Sequence, residues 1–135
     1  MRRYLLDTNT ASDYIFRRKE IPERVKKARM AGYKIGIGMP VLAELFAGAE
    51  NSATREKNLD IVRRNVQLFR LWPFTADAAR EYGRLFAALR RQGRPMQVAD
   101  IQIAAIALTL GQCTVVTVDS DLSAVPGLSV ENWSS

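Results

Sequence analysis

Tyr4-Leu5-Leu6-Asp7-Thr8-Asn9 is the stretch from which the fold is read. Three bulky residues in succession predict a strand buried on both faces, the kind found inside a parallel sheet. The run stops on a carboxylate, and Thr8, Asn9 and Thr10 follow it with residue types of turns and helix caps. In open α/β sheets ligands bind outside the carboxyl ends of the strands, so Asp7 is expected at the crevice where such folds do their chemistry. Asp is also a preferred N-cap, and Asp7 taken alone fits that role equally well.

Outward from this strand the chain alternates between short apolar runs and helical patterns. Thr10 to Arg18 reads as a short helix ending in a basic cluster, Arg17-Arg18-Lys19. Glu23 to Ala31 reads as a second, with Pro22 near its start and Gly32 as its stop. Ile35 and Ile37 stand between glycines in Lys34 to Gly38, a strand with room for close backbone approach. Pro40 suits a first helical position, and that helix runs to Gly48 or just beyond. Leu59, Val62, Val66 and Phe69 recur at helical spacing, so Ala53 to Phe69 is expected as an amphipathic helix exposing Arg63 and Arg64. Arg70 to Phe74 follows as a strand. Thr75 then caps a helix to Arg91, whose buried face is Ala78, Tyr82, Leu85 and Leu89. Val98 to Leu110 is apolar nearly all round and predicts a buried helix ending at Gly111. Cys113 to Val118 is a further buried strand closed by Asp119-Ser120-Asp121, and Leu128 to Val130 makes a last short one. Strands alternating with helices predict an α/β domain with a parallel sheet and helices on both faces. Residues 1–135 read as a single domain without linker or repeat.

Composition narrows the chemistry. No apolar run reaches the roughly 20 residues of a membrane helix; the longest, Ile101 to Val118, is broken by Gln102, Thr109, Gly111 and Gln112. Only Tyr4 to Leu6 separate Met1-Arg2-Arg3 from Asp7, which leaves no signal-peptide core. A lone Cys113 cannot form an internal disulfide and fits a reducing, cytoplasmic location. The chain has no histidine, which excludes Ser-His-Asp and Cys-His catalysis and His-ligated zinc. Its net charge of +6 and pI near 9.9 suit a polyanionic partner, RNA or DNA first.

Four acids fall at corresponding places. Asp7 ends the first strand, Glu44 lies one turn into a helix after a strand, Asp100 lies in the first turn of the buried helix, and Asp119 ends the late strand. Parallel strands would gather all four at one end of the sheet. Each also has a plain structural role open to it, as a cap, a first-turn acid or a surface acid. Glu44 and Asp100 are, however, closely flanked by core residues and are not expected to be wholly exposed. Clustered carboxylates raise one another's pKa unless a cation sits among them, and all-oxygen donors select Mg2+ or Mn2+. An acidic, metal-holding pit on a basic protein is the arrangement a nuclease needs.

Leu5-Leu6-Asp7-Thr8-Asn9, Pro40-Val41-Leu42-Ala43-Glu44, Val98-Ala99-Asp100-Ile101-Gln102 and Val116-Thr117-Val118-Asp119 resemble, in order, the motifs of PIN-domain ribonucleases. The tail from Val125 to Trp133 resembles the C-terminus of the VapC toxins of bacterial toxin–antitoxin pairs. The resemblance implies a three-layer, Rossmann-like α/β/α sandwich around a central parallel sheet, and an Mg2+- or Mn2+-dependent endoribonuclease. It implies Asp7 and Asp100 as principal metal ligands, with Glu44 and Asp119 completing a catalytic site and Asp121 and Thr117 as accessory residues. It also implies a homodimer restrained by a cognate VapB-like antitoxin. Tyr14, Ile15, Phe16, Val25, Met30 and Leu45-Phe46 offer apolar anchors for such a partner. Two positions depart from the pattern: Gly38 stands where many members have Ser or Thr, and Ala99 replaces a frequent Asn. Two other readings compete. Asp7-Thr8-Asn9-Thr10 loosely resembles the start of haloacid-dehalogenase-like phosphatases, with Asn9 in place of their second acid. A non-catalytic RNA-binding module could also keep the fold without the chemistry.

Overall fold

The computed structural model describes residues 2–133. The opening strand, β1 (Arg3–Leu6), lies at the centre of a five-stranded sheet of order β3-β2-β1-β4-β5. Its neighbours are β2 (Lys34–Gly38) and β4 (Cys113–Val116), with β3 (Arg70–Trp72) and β5 (Ser129–Glu131) at the edges. Every pairing is parallel, with Leu5 opposite Gly36 on one side and Val115 on the other. The chain therefore builds one half of the sheet outward from β1 and then crosses to the other half. That reversal opens a crevice between β1 and β4 at the carboxyl edge.

Six helices flank the sheet in the described residues: α1 (Thr8–Ile15), α2 (Ile21–Met30), α3 (Met39–Glu50), α4 (Arg55–Val66), α5 (Ala76–Arg91) and α6 (Val98–Leu110). The three-layer α/β/α arrangement is the expected one. Leu5, Leu6, Ile37, Ile103 and Ile106 are among the fully buried side chains. Burial of each contributes about 1.5–3 kcal/mol relative to exposure. The glycines of β2 allow close approach, Gly36 to β3 within the sheet and Gly38 to α6 above it. A Cβ at Gly36 would stand 2.2 Å from the Arg70 carbonyl oxygen, and one at Gly38 would stand 2.7 Å from Ile106 Cδ1. A Ser at position 38 would require only the end of the Ile106 side chain to turn aside.

Several boundaries differ from the sequence reading. The first helix begins at Thr8 and ends at Ile15, not Thr10 to Arg18. Asp7 caps it, accepting the Thr10 N–H at 2.8 Å, while Arg17, Lys19 and Glu20 adopt positive φ and cannot continue it. The second helix starts two residues early, at Ile21, with Pro22 in its first turn. The fourth is shorter at both ends, and Phe69 packs into the core from beyond its terminus. β3 stops at Trp72, β4 at Val116, and β5 is displaced by one residue toward the C-terminus. Arg63 and Arg64 are exposed and Val98 to Leu110 is a helix, as read.

Candidate active site

Asp7, Glu44, Asp100 and Asp119 line one pocket of about 340 Å3 at the carboxyl edge of the sheet. Each is delivered by a different segment: the end of β1, the second turn of α3, the first turn of α6 and the loop after β4. Asp7 forms the floor, with only 5% of its surface exposed. Asp100 and Asp119 are half-buried walls. Glu44 is at the mouth and, contrary to expectation, exposed. Val41, Leu45 and Ala49 form the buried stripe of α3, and Glu44 falls on the opposite side with Ala43, Ala47 and Gly48. Its apolar neighbours in sequence are thus not its neighbours on the helix.

Hydrogen bonds fix the walls. Asp7 carries its cap bond on Oδ1 while lining the pocket. The Thr8 hydroxyl donates to Glu44 Oε1, joining α1 to α3. Thr117 is buried, and its Oγ1 accepts the Asp119 N–H at 2.9 Å. Asp119 Oδ1 in turn accepts the Asp121 N–H at 2.9 Å. Thr117 therefore shapes the loop from behind, whereas Asp121 itself lines the pocket. The carboxyl of Asp100 is pushed up to about 6, first by burial, then by the charge and hydrogen bond of Asp119 and the charges of Asp7 and Glu44. Burial first, and then crowding with other carboxylates, favours the neutral acid here.

Donor chemistry tests whether a divalent cation fits. The pocket offers five carboxylates, those of Asp7, Glu44, Asp100, Asp119 and Asp121, and no His or Cys ligand, a set suited to Mg2+ or Mn2+. Among the described residues no three acidic, His or Cys side chains are gathered tightly enough to hold an ion as they stand. Convergence on an ion thus requires side-chain rotation, for which the exposed Glu44 and half-buried Asp100 and Asp119 have room. The donor set fits; the closed coordination shell is not preformed.

The sequence reading assigned no site role to three pocket residues, Thr8, Asn9 and Gln97, whereas Ala99, noted as a departure from the family pattern, does line the pocket. Adjacency to Asp7 and Asp100 was the available signal, and cap and helix-start roles masked it. Of the apolar anchors assigned to a partner, Ile15 and Val25 belong to the core, and Tyr14 packs on Phe69. Phe16 and Leu45 do line an open groove, of about 400 Å3, that runs beside Glu44.

Crowding predicts a pH effect on the metal-free protein. A carboxyl whose folded pKa is raised contributes stability that is complete below the unfolded value, near 4, and is lost as pH rises through about 6. The melting temperature is expected to fall between about pH 4.5 and 7, with the Asp100→Asn variant flatter by roughly 5 °C, the shift that ~1 kcal/mol produces at this size. Parallel wild-type and variant curves would remove Asp100 from the crowded set.

A parallel α/β sheet carrying four acids in the pocket at its carboxyl edge defines a class, and comparison with known proteins bears it out. The PIN domain pattern matches residues 4–128, and the chain belongs to the PIN-domain family, in its VapC branch. It is 34% identical over 135 residues to the tRNA(fMet)-specific endonuclease VapC of Shigella flexneri, covering 99% of this chain and 100% of that protein. The DNA-bound VapBC of Salmonella typhimurium superposes with a TM-score of 0.89 at 30% identity, over 98% of this chain and 99% of that one. VapBC2 of Rickettsia felis, bound to a promoter DNA fragment, gives a TM-score of 0.89 at 26% identity, over 97% and 98% of the two chains. The Asn9 departure and this membership dispose of the phosphatase reading.

Proposed function

We propose that this chain is a divalent-metal-dependent endoribonuclease and the toxin of a VapBC-type pair, working in the cytoplasm as a homodimer restrained by its antitoxin. The observation that carries the reading is the meeting of Asp7, Glu44, Asp100 and Asp119 in one pocket on a chain of net charge +6. Asp7 and Asp100 would be the principal ligands of Mg2+ or Mn2+, with Glu44 and Asp119 completing the shell. A divalent cation held there supplies activation of water and neutralisation of phosphate oxygens.

The chain's own groups do the remaining work. The cap bond from Thr10 N–H fixes Asp7 on the floor, and the Thr8 hydroxyl steadies Glu44 at the mouth. The Thr117 and Asp121 contacts hold Asp119 against Asp100. A water oxygen bonds to phosphorus while a pocket carboxylate takes the water proton; the bond from phosphorus to the departing sugar oxygen breaks, and that oxygen takes a proton from solvent and leaves as a hydroxyl. The basic surface draws the RNA toward a pocket that would otherwise repel it.

The test is incubation with RNA and Mg2+, with and without chelator. tRNA(fMet) is the first substrate to try, because relatives carry it in their names. Fragments released only with metal support the enzyme; binding without cleavage would leave a non-catalytic module.

Restraint by an antitoxin gives a further expectation. A segment with apolar anchors would occupy the groove of Phe16 and Leu45, and a basic side chain would reach Asp7, Glu44 or Asp100 and displace the metal. Changing that basic residue to Ala is expected to weaken inhibition at least about tenfold, the equivalent of ~1.4 kcal/mol. Unchanged inhibition would mean that the partner only blocks access.

A further inference from the structure

The acidic pocket does not end at Glu44. It continues through Thr8, Asn9 and Glu44 into the 400 Å3 groove, and that groove continues through Asn9, Ser12 and Arg18 into a cavity of about 230 Å3. Asn9 borders all three spaces. Asn9, Ser12 and Phe16 recur at helical spacing, so one face of α1 forms a continuous wall. At the far end of the wall is the turn from Arg17 to Glu20.

This turn is built at a cost. Arg17, Lys19 and Glu20 have φ of 56°, 55° and 59°, left-handed values that disfavour residues with a Cβ. What holds it is Asp13, 8% exposed, whose carboxylate lies 3.6 Å from Arg18 Nη1 and 3.5 Å from Lys19 Nζ. The Asp13 carbonyl also accepts the Arg18 N–H at 2.7 Å. The guanidinium of Arg18 lies over the Phe16 ring, 5.0 Å from its centroid. The anion is buried while both cations remain more than half exposed, at 55% and 56%. A strained turn over-determined in this way presents Arg18 to the end of the groove that starts at the acids, and Lys19 with it to the adjoining cavity.

We propose that Arg18 and Lys19 form a phosphate-binding subsite for the RNA strand, a few nucleotides from the scissile bond, with Asp13 as their positioning residue. α1 spans about 12 Å at 1.5 Å per residue, so the subsite is remote from the pocket and touches no reacting atom. Its charge is opposite to that of the pocket, and each end attracts its own part of the strand: the acids through a cation, the turn directly. The Phe16 ring supports the guanidinium of Arg18 by a cation–π contact. The inference rests on the RNA-cleaving reading above.

The test uses the full chain and a labelled single-stranded RNA. Binding is measured against salt with Asp7→Asn protein, with or without Arg18→Gln and Lys19→Gln; cleavage kinetics are measured on proteins with Asp7 intact. Loss of a phosphate contact is expected to reduce the slope of log K against log salt by about 0.7 per contact. It should also raise KM about 5- to 10-fold with kcat unchanged, the pattern of uniform binding. Arg18→Lys should keep most of the slope, and Asp13→Asn should lose part of it. Arg63→Gln, on the outer face of α4, serves as the control. Arg18→Gln alone leaves Lys19 to pair with Asp13 and covers the case in which the double variant fails to fold. Unchanged slope and KM would overturn the subsite, as would weakened antitoxin binding with RNA binding intact. A wild-type chain that binds RNA but never cuts it would refute the nuclease reading while the salt slopes still judge the subsite.

Discussion

Asp7→Asn and Asp100→Asn are each expected to lower RNA cleavage at least about 1000-fold while leaving the fold in place. The structure separates the two roles that Asp7 combines. Its Oδ1 caps α1 by accepting the Thr10 N–H, and an Asn side-chain carbonyl can accept the same bond. The substitution thus keeps the cap and removes the charge, so a loss of cleavage reports on the site alone. Asp7→Ala would lose the cap as well, at about 1 kcal/mol, and confuse the two. Relief of like-charge repulsion should leave both Asn variants at least as stable as the metal-free wild type, given the raised Asp100 carboxyl. Circular dichroism, melting temperature and fragment release by gel check these statements together. A variant that cuts at near wild-type rate would remove that residue from the site.

The second large effect is stabilisation by metal. An ion that binds only the folded chain stabilises it by RT ln(1 + [L]/Kd), about 2.7 kcal/mol at a hundredfold excess over Kd. In a domain of this size that corresponds to a rise of roughly 5–15 °C. Asp7→Asn should respond with less than half of that shift, and Asp100→Asn likewise. Mn2+ and Mg2+ should both act, because the donors are oxygen alone, and calcium serves as the test of cavity size. An identical shift in wild type and both variants would place the ion elsewhere.

What the sequence made legible was what local pattern controls. Tyr4-Leu5-Leu6 announced the central strand because both of its faces are covered, and Asp7 announced the edge because the apolar run ended on it. Parallel topology then brought Glu44, Asp100 and Asp119 to the same edge, since each follows a strand or opens a helix there. Long-range geometry was not legible. The exposure of Glu44 depends on which side of α3 meets the sheet, and its apolar neighbours in sequence misdirected the reading. The end of α1 depends on three left-handed residues held by Asp13, and a run of Arg-Arg-Lys carries no sign of that. Gly38 looked like a departure from the family pattern, and only the structure shows that its neighbour is the tip of Ile106.

The most direct test of the central claim, that the four-acid pocket cleaves RNA with metal-activated water, is the chemistry of the cut ends. RNA is cleaved by the wild-type chain with Mg2+ in isotopically labelled water, and the fragments are weighed by mass spectrometry. The account predicts one new end bearing a phosphate with a single solvent oxygen, a free hydroxyl on the other, and no fragments in the presence of chelator or with Asp7→Asn. Ends closed as a cyclic phosphate without solvent oxygen, or cleavage that persists in chelator, would contradict it.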